Sequence, residues 1–253
     1  MDLSVEKSKV KIKNAGMTYI TIFCLTLFLG LVKIYNTSLC FIIPMLVISF
    51  LCGYRHLIVY MSALVLITYL SYENYMLLLV SLTSVILMQV LMHFKFIKSK
   101  YLAFVVTLVS LIFLYIYNYN YIEVLVILSF TLIHSLLCLE VVPVFIHNTI
   151  EVYTNKRMII LSVMIMLAIV SLVEVNQLYM MILLRFFLLL STYYLSINST
   201  MPAILYISII LMFINPLLKD EILSLILPFS IFFMYNPKNK LTCSSTYILS
   251  HLI

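Results

Sequence analysis

The sequence contains no tryptophan, only 3 glycines, and only 9% charged residues among its 253 positions. A soluble domain carries about 25% charged residues, so this chain has too few ions to cover a water-facing surface. The scarcity of glycine argues against a bundle built on small-xxx-small helix crossings. With no tryptophan, the commonest interfacial anchor is missing, and the 19 tyrosines are left to serve in its place. The 5 cysteines include no Cys-x-x-Cys pair, so metal and redox chemistry of that kind has no support. Cys24, Cys40, Cys52 and Cys138 lie in apolar runs, where a thiol packs as a small hydrophobe. There is no phosphate-binding glycine loop, no HExxH or HxxEH, no GxSxG and no aspartate motif of prenyl transfer. Neither an enzyme activity, a cofactor nor a metal is expected.

What fills the chain instead is apolar: 65% of residues are hydrophobic and the mean hydropathy is +1.19. Apolar runs fall at 17–32, 38–53, 56–70, 75–93, 101–117, 122–146, 158–173, 178–195, 202–217 and 222–236. Several are shorter than the ~20 residues that a helix needs to cross the hydrocarbon core. A membrane barrel would require apolar and polar residues to alternate. Segments such as Leu77-Leu78-Leu79-Val80 and Leu188-Leu189-Leu190 do not alternate. In lipid the backbone must satisfy its own hydrogen bonds, and helix is the remaining solution. The expected fold is therefore all-α: a polytopic membrane bundle of about ten helices. It comprises a basic cytoplasmic head (1–16), a transmembrane domain (17–236) and a short cytoplasmic tail (237–253). The first run is read as a retained helix rather than a cleaved signal, because no small-residue cleavage site follows it.

The net charge of +6 fits the excess of Lys and Arg on cytoplasmic loops, and no nucleic-acid partner is inferred from it. With ten crossings and a cytoplasmic N-terminus, the inside holds Lys7, Lys9, Lys11, Lys13, Arg55, Lys95, Lys98, Lys100, Lys156, Arg157, Lys238 and Lys240. The outside holds Lys33 and Lys219, together with Glu73, Glu174, Asp220 and Glu221. That asymmetry places both ends in the cytoplasm. The tyrosine-rich stretch Tyr115-Ile116-Tyr117-Asn118-Tyr119-Asn120-Tyr121 reads as an outer interfacial belt.

Ionisable residues at membrane depth are functional candidates by default. Four qualify: Arg185 in the eighth run, His134 and Glu140 in the sixth, and Glu123 at the outer end of the sixth. Glu123 also suits a helix N-terminus, where the dipole favours a carboxylate. His134 suits either a neutral imidazole bonded to a neighbouring helix or a proton-relay or ligand site. Glu140 lies about 10 Å nearer the cytoplasm than Arg185, a gap that snorkelling or a bridging water can close. An unpaired charge at depth is costly, so the two are expected to pair across the sixth and eighth helices as a structural tie.

The order of Leu27-Phe28-Leu29-Gly30, Pro44 in the second helix and basic Arg55 resembles the start of the membrane region of stage II sporulation protein E. The sixth run, LVILSFTLIHSLLCLEVVPVFI (125–146), is similar to that family's long helix ending in proline. A charged cytoplasmic loop then leads into MIILSVMIMLAIVSL (158–172), and Arg185 in ILLRFFLLLS matches a family arginine. The likeness covers roughly 20–235, mostly as spacing and hydropathy. It departs at Leu31, where the family has arginine, in its few later glycines, and in having no phosphatase domain with metal-binding aspartates. The resemblance implies a non-enzymatic anchoring and self-assembling module at the division septum of a low-GC spore-former. Its partners would be the lipid bilayer of the bacterial cytoplasmic membrane, further copies of itself and division proteins such as FtsZ. Two other readings compete with it. A transporter subunit would need a polar path through the bilayer, and a vitamin-importer coupling component would need a cytoplasmic Ala-Arg-Gly type motif. A DNA-uptake channel fragment has a faint echo in Asn215-Pro216-Leu217-Leu218.

The expected tie makes a direct prediction: Arg185→Leu sharply lowers the amount of folded protein in membranes. Unchanged expression and unchanged resistance to proteolysis would refute it.

Overall fold

The computed structural model describes residues 3–71, 75–93, 101–147, 154–174, 176–195 and 197–214. Among them every regular element is a helix: α1 (Leu3–Leu31), α2 (Leu39–Cys52), α3 (Tyr54–Ser71), α4 (Tyr75–His93), α5 (Leu102–Ile116), α6 (Tyr121–His147), α7 (Asn155–Val170), α8 (Gln177–Leu195) and α9 (Ile197–Ile214). A 3-10 turn, Ser171–Glu174, follows α7. Each of the first nine apolar runs coincides with one of these helices; the tenth run, 222–236, and the tail lie outside the described residues. The basic residues and the first apolar run share one helix, as α1 runs without a break from Leu3 to Leu31.

The chain divides into two compact units, Met1–Tyr153 and Thr154–Ile253. The first is organised around α2. Every residue of α2 from Leu39 to Ser49 is buried, and the helix packs against α1, α3, α4, α5 and most extensively α6. A helix apolar all the way round has no face to give to solvent, so the core closes over it on every side. In the second unit α7 packs on both α8 and α9, and α8 packs on α9.

The links are short and locally determined. Helix α5 closes in a Schellman motif: Asn118 takes φ 57°, the Tyr119 N–H donates to the Leu114 carbonyl and the Asn118 N–H to that of Tyr115. Two residues later α6 opens with a side-chain cap, as the Asn120 N–H donates to Glu123 Oε2 at 3.1 Å. Between α2 and α3 there is one residue, Gly53, at φ 113°. Its N–H donates to the Phe50 carbonyl, and its own carbonyl accepts from His56 and Leu57. That conformation is open to glycine and strained for other residues. In the second unit Asn176 Oδ1 accepts the N–H groups of Leu178 and Tyr179 at the start of α8.

Two helices, Tyr75–His93 and Tyr121–Ile146, are long and apolar enough to cross a membrane, and only 33% of each such window is buried inside the fold. Their outward faces are apolar, with Leu79, Leu82 and Ile86 on α4 and Leu125, Ile133 and Leu136 on α6 all exposed. Exposed hydroxyls on these surfaces turn back to their own helices: Ser62 donates to the Val59 carbonyl, Thr83 to that of Leu79 and Ser129 to that of Leu125, at 2.7 to 2.8 Å. A serine or threonine hydroxyl on a helix can bond the carbonyl three or four residues back, which leaves it satisfied without an outside partner.

Although glycine is scarce, one of the three sets the packing of the first unit. A Cβ at Gly30 would collide with Ile67 Cδ1 of α3 and come within 3.0 Å of Ile42 Cδ1 of α2. The bare backbone of α1 is what lets α3 and α2 approach there. Gly30→Leu is therefore expected to cost about 1–3 kcal/mol by overpacking, read as a lowered unfolding temperature in detergent. Gly16, with nothing within 4 Å, serves as the control: Gly16→Leu leaves that temperature unchanged.

Candidate functional site

The polar chemistry of the first unit gathers where α2 meets α6. Proline at position 44 gives α2 no N–H to donate to the carbonyl four residues back, which belongs to Cys40. In an apolar interior that carbonyl needs another donor. His134 supplies it from α6: its imidazole hydrogen-bonds the backbone of Cys40. The ring is 5% exposed and held between two aromatic neighbours. The Phe41 ring lies 5.2 Å away at 51°, and the Phe130 ring 6.1 Å away at 25°. The two phenyl rings exclude water from the hydrogen bond and fix the plane of the imidazole. Cys138, one turn beyond His134 on α6, is also buried.

A second polar contact closes the end of the unit from which α2 starts. The connection from α1 to α2 turns tightly, with Tyr35 at φ 51° and Asn36 at φ 63°. Ile34 and Thr37 exchange both backbone hydrogen bonds across it, at 2.9 and 3.1 Å. Positive φ at both central residues is the signature of a type I′ hairpin turn. Although it lies outside any helix, this connection is sunk into the unit: Val32, Ile34, Thr37 and Ser38 are all buried. The α5–α6 turn reaches down to it through Tyr119, whose hydroxyl hydrogen-bonds the Thr37 side chain. Burial holds the Tyr119 phenol above its usual pKa, with the nearby Glu123 carboxylate adding to the shift against the Thr37 bond. The hydroxyl therefore keeps its proton and the hydrogen bond persists at neutral pH.

The four ionisable candidates take distinct places. Glu123 caps α6 and acts on Tyr119. His134 fills the α2 gap. Glu140 lies further along α6, part-buried, one turn before Pro143. Arg185 lies midway along α8, part-buried. Glu140 thus belongs to the first unit and Arg185 to the second. Sequence reasoning placed Tyr119 in an interfacial belt and passed over Thr37 and also His56, whose ring lies 4.7 Å from that of Tyr19 on α1. No cluster of three or more His, Cys, Asp or Glu side chains suited to a metal occurs among the described residues. Comparison with family models, with curated proteins and with solved structures finds no match to this chain.

The Pro44–His134 relation is open to a double-mutant cycle. His134→Phe strands the Cys40 carbonyl and is expected to cost about 1–3 kcal/mol. Pro44→Ala restores the helical N–H to that carbonyl. In the Pro44→Ala background His134→Phe should therefore cost markedly less, a coupling on the order of 1 kcal/mol. Additive effects in thermal unfolding would show that the imidazole does not replace the missing amide.

Proposed function

We propose that this chain is a multi-pass membrane protein that anchors and assembles rather than catalyses. It crosses the bilayer about ten times with both ends in the cytoplasm. The observation that carries the reading is the outward surface of α4 and α6: apolar side chains face out along most of both helices, and Thr83 and Ser129 among them are bonded to their own helices. A surface that is apolar over most of its area, with few charges and its serine and threonine hydroxyls bonded to their own helices, suits hydrocarbon better than water.

Anchoring is favoured over conduction by what occupies the middle of the first unit. Its axis is filled by α2, whose buried side chains are isoleucine, leucine, phenylalanine, methionine and valine with little else. A permease would use that position for a polar path through the bilayer. The likeness of 20–235 to the membrane region of stage II sporulation protein E gives the anchor a destination, the asymmetric division septum. There it would self-associate and meet division proteins.

The test is a fluorescent fusion followed through sporulation, with membranes from the same cells washed in alkaline carbonate. The protein should remain in the washed membranes and concentrate at the asymmetric septum. Uniform membrane fluorescence would remove the septal role, and release by carbonate would remove the membrane reading itself.

A further inference from the structure

Helix α1 runs on past the helices it packs against. Two contacts set its register on α3: the Tyr19 ring lies 4.7 Å from that of His56, and a Cβ at Gly30 would run into Ile67. Tyr19 to Gly30 and His56 to Ile67 are equal steps along their helices, so α1 and α3 run parallel in one register. In that register Tyr54, where α3 begins, is level with Met17, and α2 ends at Cys52 just before it. Helix α1 itself begins at Leu3. Its opening stretch, 3–16, therefore continues about 20 Å past the start of α3.

The overhang is basic. Segment 3–16 holds Lys7, Lys9, Lys11 and Lys13 against one carboxylate, Glu6. A fifth cation, the exposed Arg55 in the first turn of α3, is level with Thr18. Met17 and Ile20 of α1 are exposed and apolar, and the lysines follow about 6 to 15 Å beyond Met17 along the helix. A headgroup layer is roughly 5–7 Å deep, and charge at its surface is felt for a further ~8 Å at physiological salt. The four lysines thus fall within the field of an anionic leaflet. Nor does the segment have the single apolar stripe with which an amphipathic helix lies in the interface. At 3.6 residues per turn Leu3 and Val10 fall nearly opposite Val5 and Ile12, with lysine positions on both flanks between them. Charge is what the overhang offers its surroundings.

We infer that the basic overhang of α1, with Arg55 at its base, is a docking site for the headgroups of anionic phospholipids. The inference rests on the membrane reading and adds to it the class of headgroup the protein takes. The overhang leaves the apolar part of α1 without a break, so the phosphates of the nearest leaflet are the first anions it meets. A run of lysines directly beyond a membrane helix gathers acidic lipids in this way. Lys7 and Lys11, and likewise Lys9 and Lys13, are like-charge pairs four residues apart, which destabilise a bare helix. Headgroup anions relieve that repulsion, so the lipid also steadies the overhang as a helix.

The experiment reconstitutes the full chain in phosphatidylcholine vesicles that hold a trace of spin-labelled phosphatidylglycerol or spin-labelled phosphatidylcholine. The spectrum separates lipid held at the protein from free lipid and so gives the relative association of the two headgroups. At low salt phosphatidylglycerol should associate about twofold more strongly, since an ion pair some 6 Å apart in water gives roughly threefold and the rest of the lipid shell dilutes it. In 1 M salt, where charges act over only about 3 Å, the preference should vanish. The variant Lys7→Gln, Lys9→Gln, Lys11→Gln, Lys13→Gln, Arg55→Gln should lose most of the preference. A control of equal charge loss, Lys95→Gln, Lys98→Gln, Lys100→Gln, Lys238→Gln, Lys240→Gln, should keep it. The salt series needs only the wild type, so it decides even where a variant fails to insert. Equal association of the two lipids, a preference that survives 1 M salt, an undiminished preference in the α1 variant, or an equal loss in the control would each overturn the inference while leaving the membrane reading in place. No held lipid with either label would sink the membrane reading, and this inference with it.

Discussion

The first unit depends on satisfying a backbone where there is no water. Helix α2 is buried from Leu39 to Ser49 and contains Pro44. A proline inside a buried helix leaves a carbonyl without its helical donor, and a lone carbonyl in an apolar interior is costly. The imidazole of His134 answers it from α6, the helix with which α2 shares its largest contact. One hydrogen bond thus does two things: it completes α2 as a helix, and it fixes the depth and rotation of α6 against it. Phe41 and Phe130 keep the bond dry. The arrangement makes a polar residue at the centre of the unit a structural necessity before any question of chemistry arises.

The remaining contacts follow from that axis. Because α2 has apolar residues on every side, five helices must surround it, and they can do so closely only where side chains permit. Gly30 permits it for α1, and Gly53 allows α2 and α3 to follow one another through a single residue. The sunken I′ turn before α2, held under Tyr119, finishes the end where the helix begins. What is left over faces outward and is apolar, as expected when lipid rather than water is the surrounding solvent.

Much of this was legible in the sequence, and the parts that were not have identifiable causes. Helix positions followed from hydropathy alone: the run at 75–93 matches α4 at both ends, and those at 101–117 and 122–146 match α5 and α6 to within a residue. Hydropathy finds the apolar part of α1 from Met17 onward and is silent on the helical extension that runs back from it to Leu3. Glycine was judged by its number, whereas Gly30 and Gly53 act through their places. His134 was singled out for its burial, but its partner is a backbone carbonyl, and no side-chain pattern names a carbonyl. The signal was nonetheless present, because Pro44 marks Cys40 as a group needing a donor. Tyr119 was hidden among its neighbours in a run of alternate tyrosines; only the fold distinguishes the one that bends inward.

The central claim is that the outward faces of the first unit meet hydrocarbon. Spin labels placed singly at Leu82, Leu108 and Ile133, all exposed on α4, α5 and α6, test it most directly in the full chain within native membranes. Each label should collide freely with dissolved oxygen and scarcely at all with a water-soluble nickel chelate. Ready collision with the nickel chelate at all three positions would mean that water bathes these faces, and the account would be wrong.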